Sequence, residues 1–270
     1  MKLDKSISIP PAGPVAYSVI LSALYLPLIF MLVGLIWRGV AFEFRFKAFW
    51  DKAFAWGSYI ATFCQGTALG AFINGFKVEN GAYSGGLFDW LTPFSVFTGL
   101  GLLAAYALLG ATWLVMKTEG KLQADMRRIG KPIAFALFVV IVAVSLWTPL
   151  AHDAIAERWF ALPNLVFFAP VPILVLLSTI ALSRTLASGS HALPFVLTLT
   201  LLFLGYTGLA ISMWPNIVPP GILIWEAASP PQSLGFALVG ALFIIPFILA
   251  YTTWSYYVFR GKVKAGEGYH

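Results

Sequence analysis

Charged residues make up only 10% of this 270-residue chain, against about a quarter in an ordinary soluble domain. Hydrophobic residues reach 60% and the mean hydropathy is +0.86. A water-soluble core of this size could not bury them all, so the soluble, disordered, collagenous and disulfide-scaffold classes are excluded. Cysteine is nearly absent. Cys64 stands alone, which rules out an internal disulfide, an iron–sulfur cluster and a thiolate zinc site. It reads as a small apolar packing residue. Histidine is scarce too: His152, His191 and His270 fall in loops or the tail, and Met31 is the one methionine well inside an apolar run. A haem in the bilayer needs axial ligands projecting from helices, so none is expected on this chain alone.

What is present is a series of long runs free of Asp, Glu, Lys and Arg. They are Val15–Trp37, Phe54–Phe76, Pro93–Met116, Ile133–Leu150, Leu165–Leu182, Leu193–Met213 and Leu234–Val258, each of 18 to 25 residues. A helix crossing a bilayer needs about 20, whereas barrel strands would be shorter and alternate in polarity. The expectation is an all-α polytopic helix bundle of seven spans. Residues 1–14 form a polar segment with no signal-peptide core, 15–258 the membrane domain, and 259–270 a tail.

Lysine and arginine are divided unevenly between the two sides. The N-terminal side collects Lys2, Lys5, Lys77 and Arg158, and the other side holds the remaining thirteen of the 17. Basic short loops stay in the cytoplasm, so the N-terminus is predicted outside and the C-terminus inside. The net charge of +6 then needs no nucleic-acid partner, because basic loops facing anionic lipid account for it. All ten tryptophans lie near span ends or in loops, where an indole suits the headgroup interface.

The polar residues inside and beside the spans are few. Ser58, Thr62 and Gln65 share a face of the second span, followed by Gly66 and Gly70. Small residues let helices approach in lipid, and Gln65 could hydrogen-bond across the contact. Gly99, Gly101, Ala105 and Gly110 in the third span, with Gly205, Gly208 and Ser212 in the sixth, read the same way; a polar path is the lesser reading. Arg38 ends the first span and can snorkel to the headgroups, and an Arg38–Glu43 or Glu43–Arg45 ion pair would fix that corner. Thr92 and Pro93 suit the N-cap and first position of a helix, with Asp89 beside its positive end. The stretch from Trp214 to Ser233 is too rich in proline for a continuous helix, yet Ile222 to Trp225 is too apolar for a solvated loop. It is expected to pack over the outer end of the bundle, with Glu226 in a capping or pairing role. Seven spans also suggest rhodopsins and seven-helix receptors, but the last span has no lysine for a retinal Schiff base and one cysteine cannot make the receptor disulfide.

Several stretches carry a more specific signal. Ala23 to Arg45 reads Ala-Leu-Tyr-Leu-Pro-Leu-Ile-Phe-Met-Leu-Val-Gly-Leu-Ile-Trp-Arg-Gly-Val-Ala-Phe-Glu-Phe-Arg. Phe88 to Phe94 reads Phe-Asp-Trp-Leu-Thr-Pro-Phe, and Gly110 to Gly120 reads Gly-Ala-Thr-Trp-Leu-Val-Met-Lys-Thr-Glu-Gly. Pro215 to Pro220, Ile224 to Pro231, Ala250 to Val263 and the closing Gly-Tyr-His add to these. In order and spacing, from about Val15 to the end, the chain resembles subunit II of the cytochrome bd-type quinol oxidases, particularly the cyanide-insensitive branch.

The resemblance implies a partner-dependent protein of the bacterial cytoplasmic membrane, working in aerobic respiration. In that family haems b and d and the quinol site belong to subunit I, and subunit II is a haem-free companion that stabilises it; a small accessory subunit can join. The complex oxidises quinol and reduces dioxygen to water. No catalytic, cofactor-binding or metal residue is therefore assigned to this chain, and Arg38, Glu43, Arg45, Gln65, Asp89, Trp225 and Glu226 are structural or interface candidates. One departure is that the family normally opens with two further spans bearing acidic motifs, including an Asp-Gly-Asn-Glu-Thr-Trp-like stretch, where this chain has fourteen unrelated residues. The proton-delivery role of those acids carries over to no residue here. A shortened, a split and a degraded subunit all fit that departure. The alternative function is a small-solute permease, against which the lack of ionisable groups in the spans counts.

Overall fold

The computed structural model describes residues 12–44 and 48–262, with side chains from Val15 onward. Lys2, Lys5, Arg45, Lys47, Lys264 and His270 lie outside the described residues. Ten helices and two small hairpins follow one another: α1 (Ala12–Glu43), α2 (Ala48–Asn74), β1 (Val78–Glu79), β2 (Ala82–Tyr83), α3 (Pro93–Lys117), α4 (Gly120–Ala151), α5 (Asp153–Phe160), α6 (Asn164–Phe168), α7 (Pro170–Ser188), α8 (Leu193–Met213), β3 (Asn216–Val218), β4 (Ile222–Leu223), α9 (Ile224–Ala227) and α10 (Pro231–Val258). The start of α1 and both hairpins define a first face of the bundle, and the end of α10 lies at the opposite, second face.

Six helical stretches are long and apolar enough to cross a membrane: α1, α3, α4, α6 with α7, α8 and α10. The sequence count was seven. The remaining run forms α2, a helix of 27 residues with no charge after Lys52, but its Gly, Ser, Thr and Gln residues make it less apolar than the rest. Those residues are what it packs with. Several helices outrun their predicted spans, among them α1, which continues through Arg38 to Glu43, α2, which starts at Ala48, α7, which runs to Ser188, and α4, which starts at Gly120. Lys121 to Lys131 therefore occupy the first turns of a helix instead of a loop. At about 1.5 Å per residue the 32 residues of α4 reach well past a hydrocarbon layer of about 30 Å.

Helices α3, α4, α7 and α8 touch in a closed ring, α3 to α4, α4 to α7, α7 to α8 and α8 to α3. Leu102, Leu108, Leu137, Leu182, Leu186 and Leu201 fill its centre. The buried threonines in and beside this core turn their hydroxyls back onto their own helices: Thr112 donates to Leu108 O at 2.9 Å, Thr179 to Val175 O at 2.8 Å and Thr198 to Pro194 O at 2.9 Å. That satisfies a buried hydroxyl where no water is available. A second core lies at the first face, where Val19 and Leu24 of α1, Ala71 and Phe76 from the α2 end, Trp90, Val218 and Ile222 pack together.

Helix α2 joins α1 to the ring, and it does so through glycines. A Cβ on Gly57 would lie 2.7 Å from Gly34 O of α1. One on Gly66 would lie 2.7 Å from the Cα of Gly99 in α3. The expectation of glycine-mediated packing thus holds for Gly66, Gly70, Gly99 and Gly101, the last against Val140 of α4. Gly110, Gly205 and Gly208 make no such contact among the described residues, since a Cβ there would meet nothing within 4 Å; any packing they mediate is against another chain. Those three face away from the rest of the chain.

Side chains forced between backbones this close must push them apart, which costs about 1–3 kcal/mol or more. Gly66→Val is expected to lower the thermal midpoint of the detergent-solubilised protein by several degrees, while Gly205→Ala leaves it unchanged. Circular dichroism melts of the two variants check this.

Candidate functional site

The polar side chains gather at the two faces. At the first, the hairpin of β1 and β2 turns through Asn80 and Gly81, both with positive φ (50° and 76°), as a tight two-residue hairpin requires. Thr92 and Ser95 then cap α3 reciprocally. Ser95 N donates to Thr92 Oγ1 at 3.1 Å, and Thr92 N donates to Ser95 Oγ at 2.8 Å. This confirms Thr92 and Pro93 as the helix start. Asn74 Nδ2 also donates to Thr92 Oγ1 at 3.0 Å, tying the α2 end to the same cap.

Asp89 is used locally. Its carboxylate accepts from Gly86 N at 2.9 Å, and Tyr83 Oη donates to Gly86 O at 2.9 Å. Burial pushes the Tyr83 phenol above its ordinary range, and the neighbouring Asp89 charge and hydrogen bond push it further. Glu226 accepts from Leu223 N at 3.1 Å, capping the one-turn α9. That is the capping role expected of it. Trp225 is exposed and meets Trp214 edge-on at 5.8 Å.

At the second face Arg38 lies over the ring of Phe54, its Cζ 4.9 Å from the centroid. The anticipated Arg38–Glu43 pair is not among the contacts of the described residues, and the Glu43–Arg45 pair lies outside them. The ion pair that does form, Lys262 to Glu119 at 3.2 Å, joins the tail to the α3–α4 corner. Around it, Lys117 Nζ donates to Phe259 O at 2.6 Å and Arg127 donates to Gly189 O at 2.8 Å. Gln123 Nε2 lies 3.0 Å from Nδ1 of His191 and donates to Val115 O and Thr118 O, both at 2.8 Å. Sequence reasoning missed this cluster because bonded partners in it lie as far as 144 residues apart, as Lys117 and Gly261 do, and no single stretch carries a motif.

Among the described residues Lys and Arg fall ten to two between the faces: Arg38, Lys52, Lys117, Lys121, Arg127, Arg128, Lys131, Arg184, Arg260 and Lys262 at the second, and Lys77 and Arg158 at the first. Gln65 alone of the candidates described at side-chain level sits mid-helix, accepting from Tyr106 Oη at 3.3 Å across α2 and α3. The candidates are thus spread over both ends and the middle, with no common pocket. Among the described residues there is no cluster of three or more His, Cys, Asp or Glu side chains able to hold a metal.

An apolar helix bundle with polar groups confined almost entirely to its ends defines an all-α polytopic membrane protein. A family model described as cytochrome bd terminal oxidase subunit II matches residues 12–259, and the chain belongs to that family. It is 25% identical to the probable cytochrome oxidase subunit 2 of Haemophilus influenzae, the match covering 94% of this chain and 78% of that one. To the cytochrome bd ubiquinol oxidase subunit 2 of Bacillus subtilis it is also 25% identical, over 95% and 78%. The cytochrome bd-I ubiquinol oxidase subunit 2 of Escherichia coli K12 is 26% identical, over 93% and 77%. The chain is a membrane subunit of a terminal oxidase, multi-pass in the bacterial cytoplasmic membrane.

Replacing Asp89 by Asn removes its charge from beside Tyr83 while leaving the burial. The Tyr83 phenol is then expected to ionise at lower pH, nearer 10. Difference absorbance titrations of Asp89→Asn with and without Tyr83→Phe isolate that one phenol.

Proposed function

We propose that this chain is the haem-free companion subunit of a cytochrome bd-type quinol:dioxygen oxidoreductase, stabilising the haem-bearing subunit and taking no catalytic part itself. The carrying observation is the family match from residue 12 to 259 on a chain whose described span interiors hold no histidine and, well inside a span, only one methionine, Met31. His152 follows the end of α4 and His191 precedes α8, so neither projects from the middle of a helix as an axial ligand would. The residues present do not fit a membrane-embedded haem, and haems b and d with the quinol site are assigned to the partner. The relatives' names supply the quinol chemistry.

The same reading takes α2 as a seventh span. Its uncharged part, from Ala53 to Asn74, is long enough to cross the hydrocarbon layer; its glycines face neighbouring helices, and Ser58 and Thr67 bond back to carbonyls of α2 itself. The ten-to-two division of basic residues then puts the second face, with the end of α10, in the cytoplasm. The N-terminus lies outside.

Solubilised protein is expected to copurify with a haem-containing polypeptide, and deletion of this chain to remove the haem d absorbance from membranes. Isolation at full yield without a haem protein, with normal haem d spectra after deletion, would overturn the reading. For orientation, Ser84→Cys is expected to react with an impermeant maleimide in intact spheroplasts, and Ser188→Cys only after permeabilisation. The reverse pattern would invert the topology.

A further inference from the structure

Helices α2 and α4 both pack along α3, and between them runs a furrow of about 550 Å³. Leu103, Ala104 and Ala107 of α3 form its floor, Tyr59 of α2 one wall, and Pro132 with Ala136 of α4 the other. Tyr59, Ala107, Pro132 and Ala136 are exposed, so the furrow opens to the surroundings of the bundle. Its lining is almost entirely carbon, and the two alanines set the floor back between longer side chains. That is the form of a seat for an acyl chain.

The residues standing over the furrow are charged. Gly66 of α2 meets Gly99 of α3, and Gly101 of α3 meets Val140 of α4. Neighbouring helices here run antiparallel. Lys52 lies fourteen residues before Gly66, and Trp113 fourteen after Gly99. Arg128 lies twelve before Val140, and Trp113 twelve after Gly101. Lys52 and Arg128 therefore come level with Trp113 and with each other. Lys52 precedes Tyr59 by seven residues and Arg128 precedes Pro132 by four, spacings that keep both on the furrow's side of their helices. Both helices start at the second face, so both side chains lean outward toward it.

Asp125 lies on the same side of α4, three residues and about 4.5 Å beyond Arg128. Opposite charges three apart on a helix are within reach of each other, yet these two do not pair. Lys52, Asp125 and Arg128 are all exposed. None of them has an ion pair or hydrogen bond among the described residues, and Lys121, a turn further out, is not paired with Asp125 either. Asp51 adjoins Lys52 in sequence but faces another side of α2.

We infer that the furrow binds phosphatidylethanolamine, with the phosphate between Lys52 and Arg128, the ammonium on Asp125 and an acyl chain along Ala104 and Ala107. The order of the charges selects this class: two cations at one level and a carboxylate just outside them. Phosphatidylglycerol satisfies the cations but sets an uncharged headgroup against the carboxylate. Phosphatidylcholine brings a positive charge without an N–H, so the charge-assisted hydrogen bond to Asp125 is lost. The inference goes beyond the companion role and rests on α2 lying in the bilayer as a seventh span.

The test places the solubilised protein, with its copurifying polypeptides, in phosphatidylcholine nanodiscs. Each holds a trace of phospholipid with a diazirine in its acyl chain, headed by ethanolamine, glycerol or choline in turn. After irradiation, fragment spectra locate the adducts. The ethanolamine probe is expected to label 103–107 and 132–136 about threefold more than either other probe, the scale of one exposed ion pair. Asp125→Asn should bring it down to the level of the glycerol probe, and Asp125→Lys should place the glycerol probe first. Lys52→Gln with Arg128→Gln should lower labelling by all three. Equal labelling by the three probes, an order indifferent to Asp125, or labelling concentrated away from the furrow overturns the inference. Adducts on α2 from every probe without preference overturn it while leaving α2 a span. Adducts on α3 and α4 with none on α2 from any probe count against that span and remove the furrow's wall with it.

Discussion

Helix α2 reaches both of its neighbours through glycine, and the connection between the two halves of the membrane domain passes along it. On one side Gly57 sits against Gly34 of α1, and on the other Gly66 and Gly70 sit against α3. Within the membrane α1 has no other extensive helix contact. In water such a junction would be driven by burying apolar side chains. In lipid that drive is missing, so close backbone approach and hydrogen bonds such as Tyr106 to Gln65 must supply the attraction. The lower apolarity of α2 follows from this requirement.

The same solvent governs the polar side chains. Thr67, Thr112, Thr179 and Thr198 are all buried, and each bonds to a carbonyl of its own helix. Hydroxyls engaged this way form no continuous chain through the ring. Ionisable groups gather at the two ends, where water and headgroups solvate them. The bundle therefore presents an apolar interior closed by polar caps, an arrangement suited to holding a neighbour in place.

The sequence was most legible where the physics is local. Charge-free runs marked the helices, Thr92 and Pro93 marked the start of α3, and the apolar Ile222 to Ile224 stretch marked a seated segment, although Trp225 at its end is exposed. It was least legible where partners are far apart along the chain. Gln65 was readable as an interhelical group but Tyr106 was not readable as its partner, because nothing local sets the rotation of α3 against α2. Arg38 invited an ion pair with nearby Glu43, yet it found the Phe54 ring on the next helix. The cluster of Glu119, Gln123, His191 and Lys262 joins three separate chain corners. The glycines show the limit most clearly, since Gly66 and Gly110 look alike in sequence and differ only in what the fold brings to them.

The β3–β4 hairpin seats Val218 and Ile222 on Ala16, Val19 and Ala23 of α1, bringing together segments some two hundred positions apart in the chain. During synthesis α1 must wait, that end covered only by the α2 end, β2 and Trp90, until the ribosome has delivered β3 and β4. Contacts between distant parts of a chain form late. Closure of this end therefore waits on delivery of β3 and β4, and a quality-control protease meeting an unclosed end of α1 would be meeting a chain not yet extended that far or broken off before it.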